Sequence, residues 1–444
     1  MCSSDLTTNS TFEITKSGSS VTTLGGSTTI STGSGAITFT GAVDGGNTLA
    51  VNSTGTVTFS TAVGANTALT TLTSSTLGTI TLKNVTTTSD QIYNDATVTL
   101  NGTYTTGGGV FTVGNNASLA GATTIEAGAG NVTFTGTVNG GVAFVVNSTG
   151  TATFSSAVGG STALTSFTSN AAGSIALGSV TTTGAQSYSD AAVTLNGTYT
   201  TTNSNFSVSN AATLGGATTV SVGSGDITFS STINGSFALT ANSTGTTTFS
   251  GTIGAGTALA SITTNSNGTL TAGTITTSGA QTYNDTTANL SGTYTTTNSA
   301  FTVGGNTSLS GSVSVATGSG AITFSGTIDE AETLTLDTSG AIVISGAVGG
   351  TTALGAITIS NASNVTVSSA VDAVSITQSA GTGTTTYSGA ITTTGAAGFD
   401  FTGTALTING AVNTTSGNGI VEVTNSGLFT SGAGGDMKIG RAHV

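Results

Sequence analysis

Short apolar-polar-apolar triplets recur along the chain. They start at Ile37, Val57, Ile80, Val98 and Val132. Alternation with a period of two predicts β-strands that turn one face toward a core. Gly, Asn, Asp and Ser fill the segments between the triplets and accept turn conformations with positive φ. The pattern therefore predicts many short strands joined by tight turns.

A longer period of 95 residues runs through the same pattern. Closely related seven-residue segments begin at Gly33, Gly128, Gly223 and Gly318. Self-similarity at a fixed period is the signature of repeat architectures. This period predicts the tail of a preceding repeat at 7–32, full repeats at 33–127, 128–222 and 223–317, and a divergent fourth repeat with its continuation at 318–438.

A finer period inside each repeat predicts the fold. Successive triplet starts lie 20, 23, 18 and 34 residues apart, and the longest gap has room for a weaker rung near Leu119. Units of about 20 residues, each with two strands, predict an all-β fold, a right-handed parallel β-helix (β-solenoid) of about 20 coils. Val57 and Phe59 are expected to lie over Ile37 and Phe39 at the ~4.8 Å spacing of paired strands. The absence of proline agrees with continuous ladders.

Tandem immunoglobulin-like β-sandwiches are the structural alternative, because 95 residues is close to the size of that domain. Each repeat, however, contains nearer ten short strands than seven, and the chain has no Trp. No linker-like segment separates the repeats, and the fourth repeat changes its spacing halfway. The solenoid is therefore favoured.

Composition and charge exclude several classes of partner. Charged residues make up 5% of the chain, against about 25% in a typical soluble domain, yet 36% is hydrophobic, which argues against a disordered linker. The net charge is −13, and Lys16, Lys83 and Lys438 are the only cationic residues outside the two ends. No basic face can form for nucleic acid or for anionic lipid. No apolar run approaches the ~18–20 residues that cross a bilayer, so direct membrane insertion of this segment is not expected.

The two ends differ in character from the sequence between them. Residues 1–6 and 439–444 resemble translations of a short-read sequencing adapter in opposite orientations, and we interpret both as adapter-derived artefacts. Cys2, Arg441 and His443 lie in these ends, so they support no thiol or metal hypothesis. The interpretation makes the chain an internal fragment whose true termini are missing.

Carboxylates are the remaining candidates for chemistry. Glycan-cleaving β-helices need paired carboxylates, usually with a cationic side chain nearby. Asp329, Glu330 and Glu332 form one acidic cluster that occurs in a single repeat, and a solvated turn is the preferred interpretation. We therefore predict no catalytic residue.

A second set of acids recurs once per repeat, two residues after a Tyr. Its members are Asp95, Asp190 and Asp285. One acid per 95 residues cannot meet its counterparts several coils away, so these residues are interpreted as turn caps. The Gly-Gly-x-Gly-x-Asp pattern of calcium-binding β-rolls is absent, and neither a metal site nor a cofactor is predicted.

Thr-x-Thr pairs are typical of ice-binding solenoids. Thr38 with Thr40 and Thr86 with Thr88 are examples. Their spacing along the sequence is uneven, which predicts that no single flat lattice of hydroxyl groups forms.

One recurring sequence segment resembles the repeats of a known family. Segment 181–190 reads Thr-Thr-Thr-Gly-Ala-Gln-Ser-Tyr-Ser-Asp, with relatives at 86–95 and 278–285, and Thr-Ala-Leu recurs at 257–259. These segments resemble the β-strand repeats of filamentous-haemagglutinin-like and autotransporter-like bacterial surface adhesins, from about Thr7 to Val367. The resemblance implies export across the outer membrane, an extracellular cell-surface location, and display as a long stalk in adhesion or biofilm contact.

We therefore expect a non-enzymatic stalk or adhesive segment of a large secreted bacterial surface protein. Its expected partners are host or matrix glycans, host or matrix proteins, or sister rods. Two alternatives stay open. In the first alternative, the segment is the non-catalytic part of a glycan-active β-helix enzyme. In the second, it is a self-assembling surface-layer or fibre protein.

Overall fold

The computed structural model describes residues 4–5, 9–16, 20–75, 77–170, 172–265 and 267–440. Cys2, Arg441 and His443 lie outside these ranges. The chain divides into two compact units, Met1–Gly225 and Asp226–Val444. Strands stack in parallel in both units, which confirms the predicted β-solenoid of about 20 coils. Every described pairing is parallel, whereas immunoglobulin-like sandwiches are antiparallel, so that alternative is wrong.

Successive strands of the first unit join three ladders in rotation. We name them ladders A, B and C after the order in which Phe12–Ile14, Val21–Thr23 and Thr28–Ser31 enter them. Each coil therefore has three strands, whereas the sequence pattern predicted two. The third strand was missed because a single apolar residue between turns is enough to form it. Val63 and Val158 join their ladders only through isolated bridges.

The strands of the first unit have the following bounds. Ladder A contains Phe12–Ile14, Ile37–Phe39, Thr56–Phe59, Thr79–Leu82, Val138–Asn139 and Val180–Thr181. Ladder B contains Val21–Thr23, Ala42–Asp44, Val85–Thr86, Ala143–Ser148, Ser166–Ser169, Gln186–Tyr188 and Phe206–Val208. Ladder C contains Ser4–Asp5, Thr28–Ser31, Leu49–Asn52, Leu72–Ser74, Gln91–Tyr93, Phe111–Val113, Val132–Phe134, Thr151–Phe154 and Ser174–Leu177. Four longer strands contribute to two ladders each, namely Thr97–Thr105, Asn116–Gly128, Ala192–Thr200 and Ala211–Ser221.

The longer strands turn a corner of the solenoid without breaking. In Thr97–Thr105 the register against the next coil shifts between Leu100 and Gly102. Gly102 has φ +120, and a Cβ there would lie 2.0 Å from Oδ1 of Asn84. Glycine supplies this conformation without steric cost, so the strand bends at Gly102 from one ladder to the next.

Inward-facing side chains form stacks along the core of the first unit. Val57 pairs with Ile37 and Phe59 with Phe39, as predicted, and all four are buried. The weaker rung is also confirmed, because Leu119 pairs with Leu100 in register. Alternation along each strand thus buries one column of side chains and leaves the next column outside.

The second unit repeats the three-ladder arrangement, with ladders that we name D, E and F. Ladder D contains Ile227–Phe229, Thr246–Phe249, Thr269–Ala272, Ile328–Asp329, Ile391–Thr393, Val412–Asn413 and Met437–Lys438. Ladder E contains Ile233–Asn234, Ile275–Thr276, Leu334–Asp337, Leu354–Asn361, Phe399–Gly403 and Val421–Asn425. Ladder F contains Ala238–Asn242, Ser261–Thr264, Gln281–Tyr283, Phe301–Val303, Ile322–Phe324, Ile342–Ile344, Val365–Val367, Thr384–Tyr387, Ala405–Ile408 and Phe429–Ser431. Thr287–Thr295, Asn306–Ala316 and Val371–Gln378 run from ladder D into ladder E, and a short 3-10 helix spans Thr415–Gly417.

The 95-residue sequence repeat does not contain a whole number of coils. From Ile37 to its equivalent Val132 the chain advances by fourteen strand positions, where isolated bridges are included. Because each coil has three such positions, this is four coils and two further strands. Ile37 therefore lies on ladder A and Val132 on ladder C. In the second unit Ile227 lies on ladder D and its equivalent Ile322 on ladder F. Within each unit, equivalent residues of successive repeats therefore point in different directions.

Candidate functional site

The recurring aspartates lie in turns, as predicted, but their side chains are buried. Asp95, Asp190 and Asp285 are 0%, 1% and 2% exposed. Oγ of Ser169 donates a 2.9 Å hydrogen bond to Oδ1 of Asp190, and Oγ1 of Thr264 donates to Oδ2 of Asp285. Each donor lies one coil earlier, so these carboxyl groups contact a neighbouring coil as well as their own turn.

Burial raises the pKa of each of these carboxyl groups above its usual value. Desolvation is the largest cause, and the hydrogen bond from Ser169 only partly opposes it at Asp190. Asp190 is 95 positions from Asp95 and from Asp285 along the sequence. Within the first unit this separates Asp95 and Asp190 by more than four coils, or roughly 20 Å. The structure of the first unit therefore does not bring Asp95 and Asp190 together as an acid-base pair.

A buried glutamine-tyrosine pair precedes each of these aspartates. In the second repeat, Nε2 of Gln186 donates to the carbonyl oxygens of Val180 and Thr200 at 3.2 and 2.9 Å. The hydroxyl of Tyr188 donates to Oε1 of Gln186 at 3.1 Å. Equivalent bonds join Tyr93 to Gln91 and Tyr283 to Gln281. The pair satisfies carbonyl groups inside the solenoid and offers no group to a ligand from solvent.

The sequence analysis missed the role of these glutamines. Their signal is the recurrence of Gln two residues before Tyr at the 95-residue period, at Gln91, Gln186 and Gln281. Period-two alternation places such a residue on the same face as the Tyr. Because the Tyr is buried, the Gln must be buried too.

The single acidic cluster lies at the surface of the second unit, in agreement with the predicted solvated turn. Glu330 is exposed, and Asp329 and Glu332 are half-buried. Oδ1 of Asp329 accepts a 2.8 Å hydrogen bond from the backbone N–H of Thr351 in the next coil. Oγ of Ser312 donates to Oε2 of Glu332 at 3.2 Å. Asp329 and Glu332 thus cap backbone and hydroxyl donors of adjacent coils.

Outward-facing threonines at the strand centres of ladder A are spaced regularly from coil to coil. Thr38 and Thr86 belong to different ladders, A and B, but strand-centre positions within one ladder lie in register. Thr38, Thr58 and Thr81 are successive partners on ladder A. The turns absorb the uneven sequence spacing, so these central threonines form one regular column. The Thr-x-Thr pairs that begin at Thr38 and Thr86 lie on different ladders, and the absence of a single flat lattice of such pairs stays a prediction.

A polar groove lies at the connection between ladders E and F of the second unit. It is lined by Ser, Thr, Asn, Gly and Ala residues of three successive coils, including Ser379, Gly381, Thr402, Thr404 and Asn425. Its lining contains hydroxyl, amide and backbone groups and no charged side chain. Such a groove can hydrogen-bond a neutral polar ligand, but its lining supplies no acid or base.

Within the described ranges, no three His, Cys, Asp or Glu side chains group so that they could hold a metal ion. Nor do the described residues include a helix that is long and apolar enough to span a membrane. No family model, curated protein or solved structure matches the chain.

Proposed function

We propose that this chain is a non-enzymatic stalk segment of a large secreted bacterial surface protein, with adhesive contacts along its outer faces. The observation that supports this function best is the coil-on-coil stacking of parallel strands within each unit, in which long stretches of each ladder lie in register. Phe111, Val132 and Ala152 are one example, in which each residue is the partner of the next. Each added coil buries its own inward column against the preceding coil, so the segment lengthens without a new core.

The surface chemistry supports contact rather than catalysis. Only 5% of the chain is charged, and the outward strand positions are mostly Thr, Ser, Ala and Asn. Among the described aromatic residues, Phe237 and Phe429 are the exposed ones. Adhesion to glycans would therefore use hydroxyl and amide hydrogen bonds, as in the polar groove, rather than stacking of sugars on aromatic rings.

Attachment of coated beads tests the adhesive function. Beads carrying the full chain are expected to bind surfaces of immobilised host-matrix protein or neutral polysaccharide more than beads carrying albumin. Thr402→Lys with Thr404→Lys places two charges in the polar groove and is expected to reduce binding to the polysaccharide. Thr38→Lys with Thr58→Lys, on ladder A of the first unit, is the matched control. Equal binding of coated and albumin beads to every surface would contradict the adhesive function.

The enzyme alternative has a separate test. A glycan-active enzyme part would release new reducing or unsaturated sugar ends from a panel of neutral and acidic polysaccharides. We expect no release above the blank with the full chain. Release that survives repurification would replace the stalk proposal with an enzymatic one.

A further inference from the structure

Ladder F carries the most regular outer surface of the second unit. The central outward residues of its ten strands are successive partners in register, without a bulge. They are Thr240, Thr263, Thr282, Thr302, Thr323, Val343, Thr366, Thr386, Thr407 and Thr430. Paired strands are spaced at ~4.8 Å, so these residues form one continuous column. We call the outward surface of these strands face F.

Small residues flank the central column on both sides. Alanines such as Ala300, Ala321 and Ala341 stand two positions before it, and Ser or Asn residues such as Asn284 and Ser325 stand two positions after it. Residues two apart in an extended strand share a face. Face F therefore presents three parallel columns of small side chains, with the exposed Leu428 before Thr430 on the last strand as the exception, and these columns leave room for a second sheet surface to approach closely.

Charge is absent from face F and present on the other ladders of the same unit. The strands of ladder F contain no Asp, Glu, Lys or Arg. Ladder D carries Asp329 and Asp372, and ladder E carries Asp337, Asp400 and Glu422. At a net charge of −13, two copies of the chain repel each other. Face F is the surface where that repulsion is smallest.

Val343 indicates that the shape of the side chains in the central column matters more than their hydroxyl groups. It replaces Thr in the centre of face F and keeps the in-register pairing with Thr323 and Thr366. Valine has the shape of threonine without its hydroxyl group. A ligand bound by a regular row of hydroxyl groups would lose a contact there, whereas packing between β-branched side chains is preserved.

We propose that face F is a homotypic interface through which two copies of this chain pack side by side. Identical stacked side chains of low charge form dry, interdigitated contacts between paired sheets, and face F has this pattern. Ten strands at ~4.8 Å and a width of about three side chains give roughly 600 Å² per copy. This is slightly below the ~800 Å² per partner of a standard stable interface, so the association is expected to be reversible and concentration-dependent. The proposal rests on the proposed stalk function and deepens it, because sister rods are one of the partner classes that the sequence leads us to expect.

Sedimentation velocity of the full chain, from about 1 to 200 µM, tests the proposal. The wild-type protein is expected to shift from monomer to dimer over this range. Thr302→Lys with Thr323→Lys places two charges in the centre of face F, and a two-fold interface doubles them to four. This variant is expected to bind itself at least tenfold more weakly.

Two matched variants separate face F from other contacts. Thr248→Lys with Thr271→Lys adds the same charge at partnered outward positions of ladder D and is expected to dimerise like the wild type. Thr302→Val with Thr323→Val keeps the side-chain shape and should also dimerise. Circular dichroism of each variant checks that the β-solenoid has formed.

Three results would overturn the proposal. They are a wild-type chain that stays monomeric at the highest concentration, a face F lysine variant that associates as well as the wild type, and equal weakening by the ladder D lysines. The second result would indicate association through a surface other than face F. None of these results bears on bead attachment, so the stalk function and the interface can fail independently.

Discussion

Phe39 stacks directly on Phe59, with ring centroids 4.9 Å apart and ring planes 3° from parallel. The equivalent residues of the next repeat, Phe134 and Phe154, make the same contact at 5.1 Å and 5°. The first pair lies on ladder A and the second on ladder C. The stacked contact therefore forms on two different sides of the solenoid in the first unit, whereas the equivalent rings of Phe229 and Phe249 lie 5.8 Å apart and are tilted by 31°.

Phe154→Ala is expected to destabilise its part of the first unit by about 3–5 kcal/mol, because the ring is buried and the stacked coils limit collapse of the cavity. Phe154 also contacts Phe144 and Phe167. Amide hydrogen exchange should show the loss mainly in the strands of adjacent coils, since each coil contacts only its neighbours. Thr153→Ala, on the outward face of the same strand, is the control and should change stability by less than about 1 kcal/mol. Equal protection of the two variants would contradict the stacked core.

The outcome for the core shows what period-two alternation can predict. The pairing of Val57 and Phe59 with Ile37 and Phe39 follows from triplets about one coil apart. Val63 and Val158 were missed as strands because one apolar residue gives no alternation. Leu119 was placed only as a weak rung because its neighbours are Ser and Ala.

The chemistry of the interior was harder to predict than the fold. A polar residue in a Gly-rich and Asn-rich chain is expected in a turn, which is where Asp190 lies. Its burial depends on Ser169 of the preceding coil, and this contact is set by the register between coils. Gln186 is buried for a similar reason, since its partners Val180 and Thr200 come from different coils. Single-strand patterns do not contain that information.

Asp190→Asn is expected to stabilise the protein at neutral pH. Burial raises the pKa of Asp190 in the folded state, so the folded state binds the proton more tightly than the unfolded chain does. Its contribution is therefore most favourable at low pH and is lost as the pH rises through the raised pKa. Asparagine keeps the oxygen that accepts the hydrogen bond of Ser169 and carries no charge.

The measurement is amide exchange of segment 186–200 in the wild type and the variant at pH 7 and near pH 4, corrected for intrinsic exchange. The advantage of the variant should shrink toward the lower pH, where the unfolded carboxyl group, with a pKa of about 3.9, also becomes protonated. Asp337→Asn removes an exposed carboxyl group and serves as the control. A variant that is less stable than the wild type at pH 7 would show that the buried carboxylate has a favourable partner.

Glu330→Gly is expected to stabilise the second unit. Glu330 has φ +97, and the equivalent positions of the earlier repeats are Gly45, Gly140 and Gly235, which all have positive φ. A residue with a Cβ is strained in this conformation by about 1–3 kcal/mol, and glycine relieves part of that strain at the cost of greater flexibility when unfolded.

Thermal unfolding of the variant and of Glu330→Ala separates the backbone effect from the loss of a charge. Alanine keeps a Cβ at the same φ, so it should give little of the gain. The reverse change, Gly140→Ala, should destabilise the first unit, because a Cβ there would lie 2.3 Å from the carbonyl oxygen of Leu119. Equal stabilisation by Gly and Ala at position 330 would mean that the charge, and not the backbone, limits stability.

Deletion of residues 57–151 removes one 95-residue repeat length and is expected to leave a folded first unit. The strand ending at Phe154 would then follow Thr56 and take the place of the strand ending at Phe59. Phe154 would stack on Phe39, so the neighbours across the junction resemble those of the intact chain. The strand would move from ladder C to ladder A, where Phe39 and Phe59 make the same stacked contact as Phe134 and Phe154 make on ladder C.

Deletion of residues 57–137 is the matched comparison, because it removes four whole coils and keeps every later strand on its ladder. Val138 would pair with Ile37, but Gly140 would replace Phe59 beside Phe39, and the junction would lose an aromatic contact. We expect this shorter deletion to lower the midpoint of thermal unfolding, followed by circular dichroism, more than the longer one does. A lower unfolding midpoint for the longer deletion would mean that keeping each strand on its own ladder matters more for stability than keeping the same neighbouring side chains. It would also mean that the 95-residue repeat cannot be added or removed without a loss of stability.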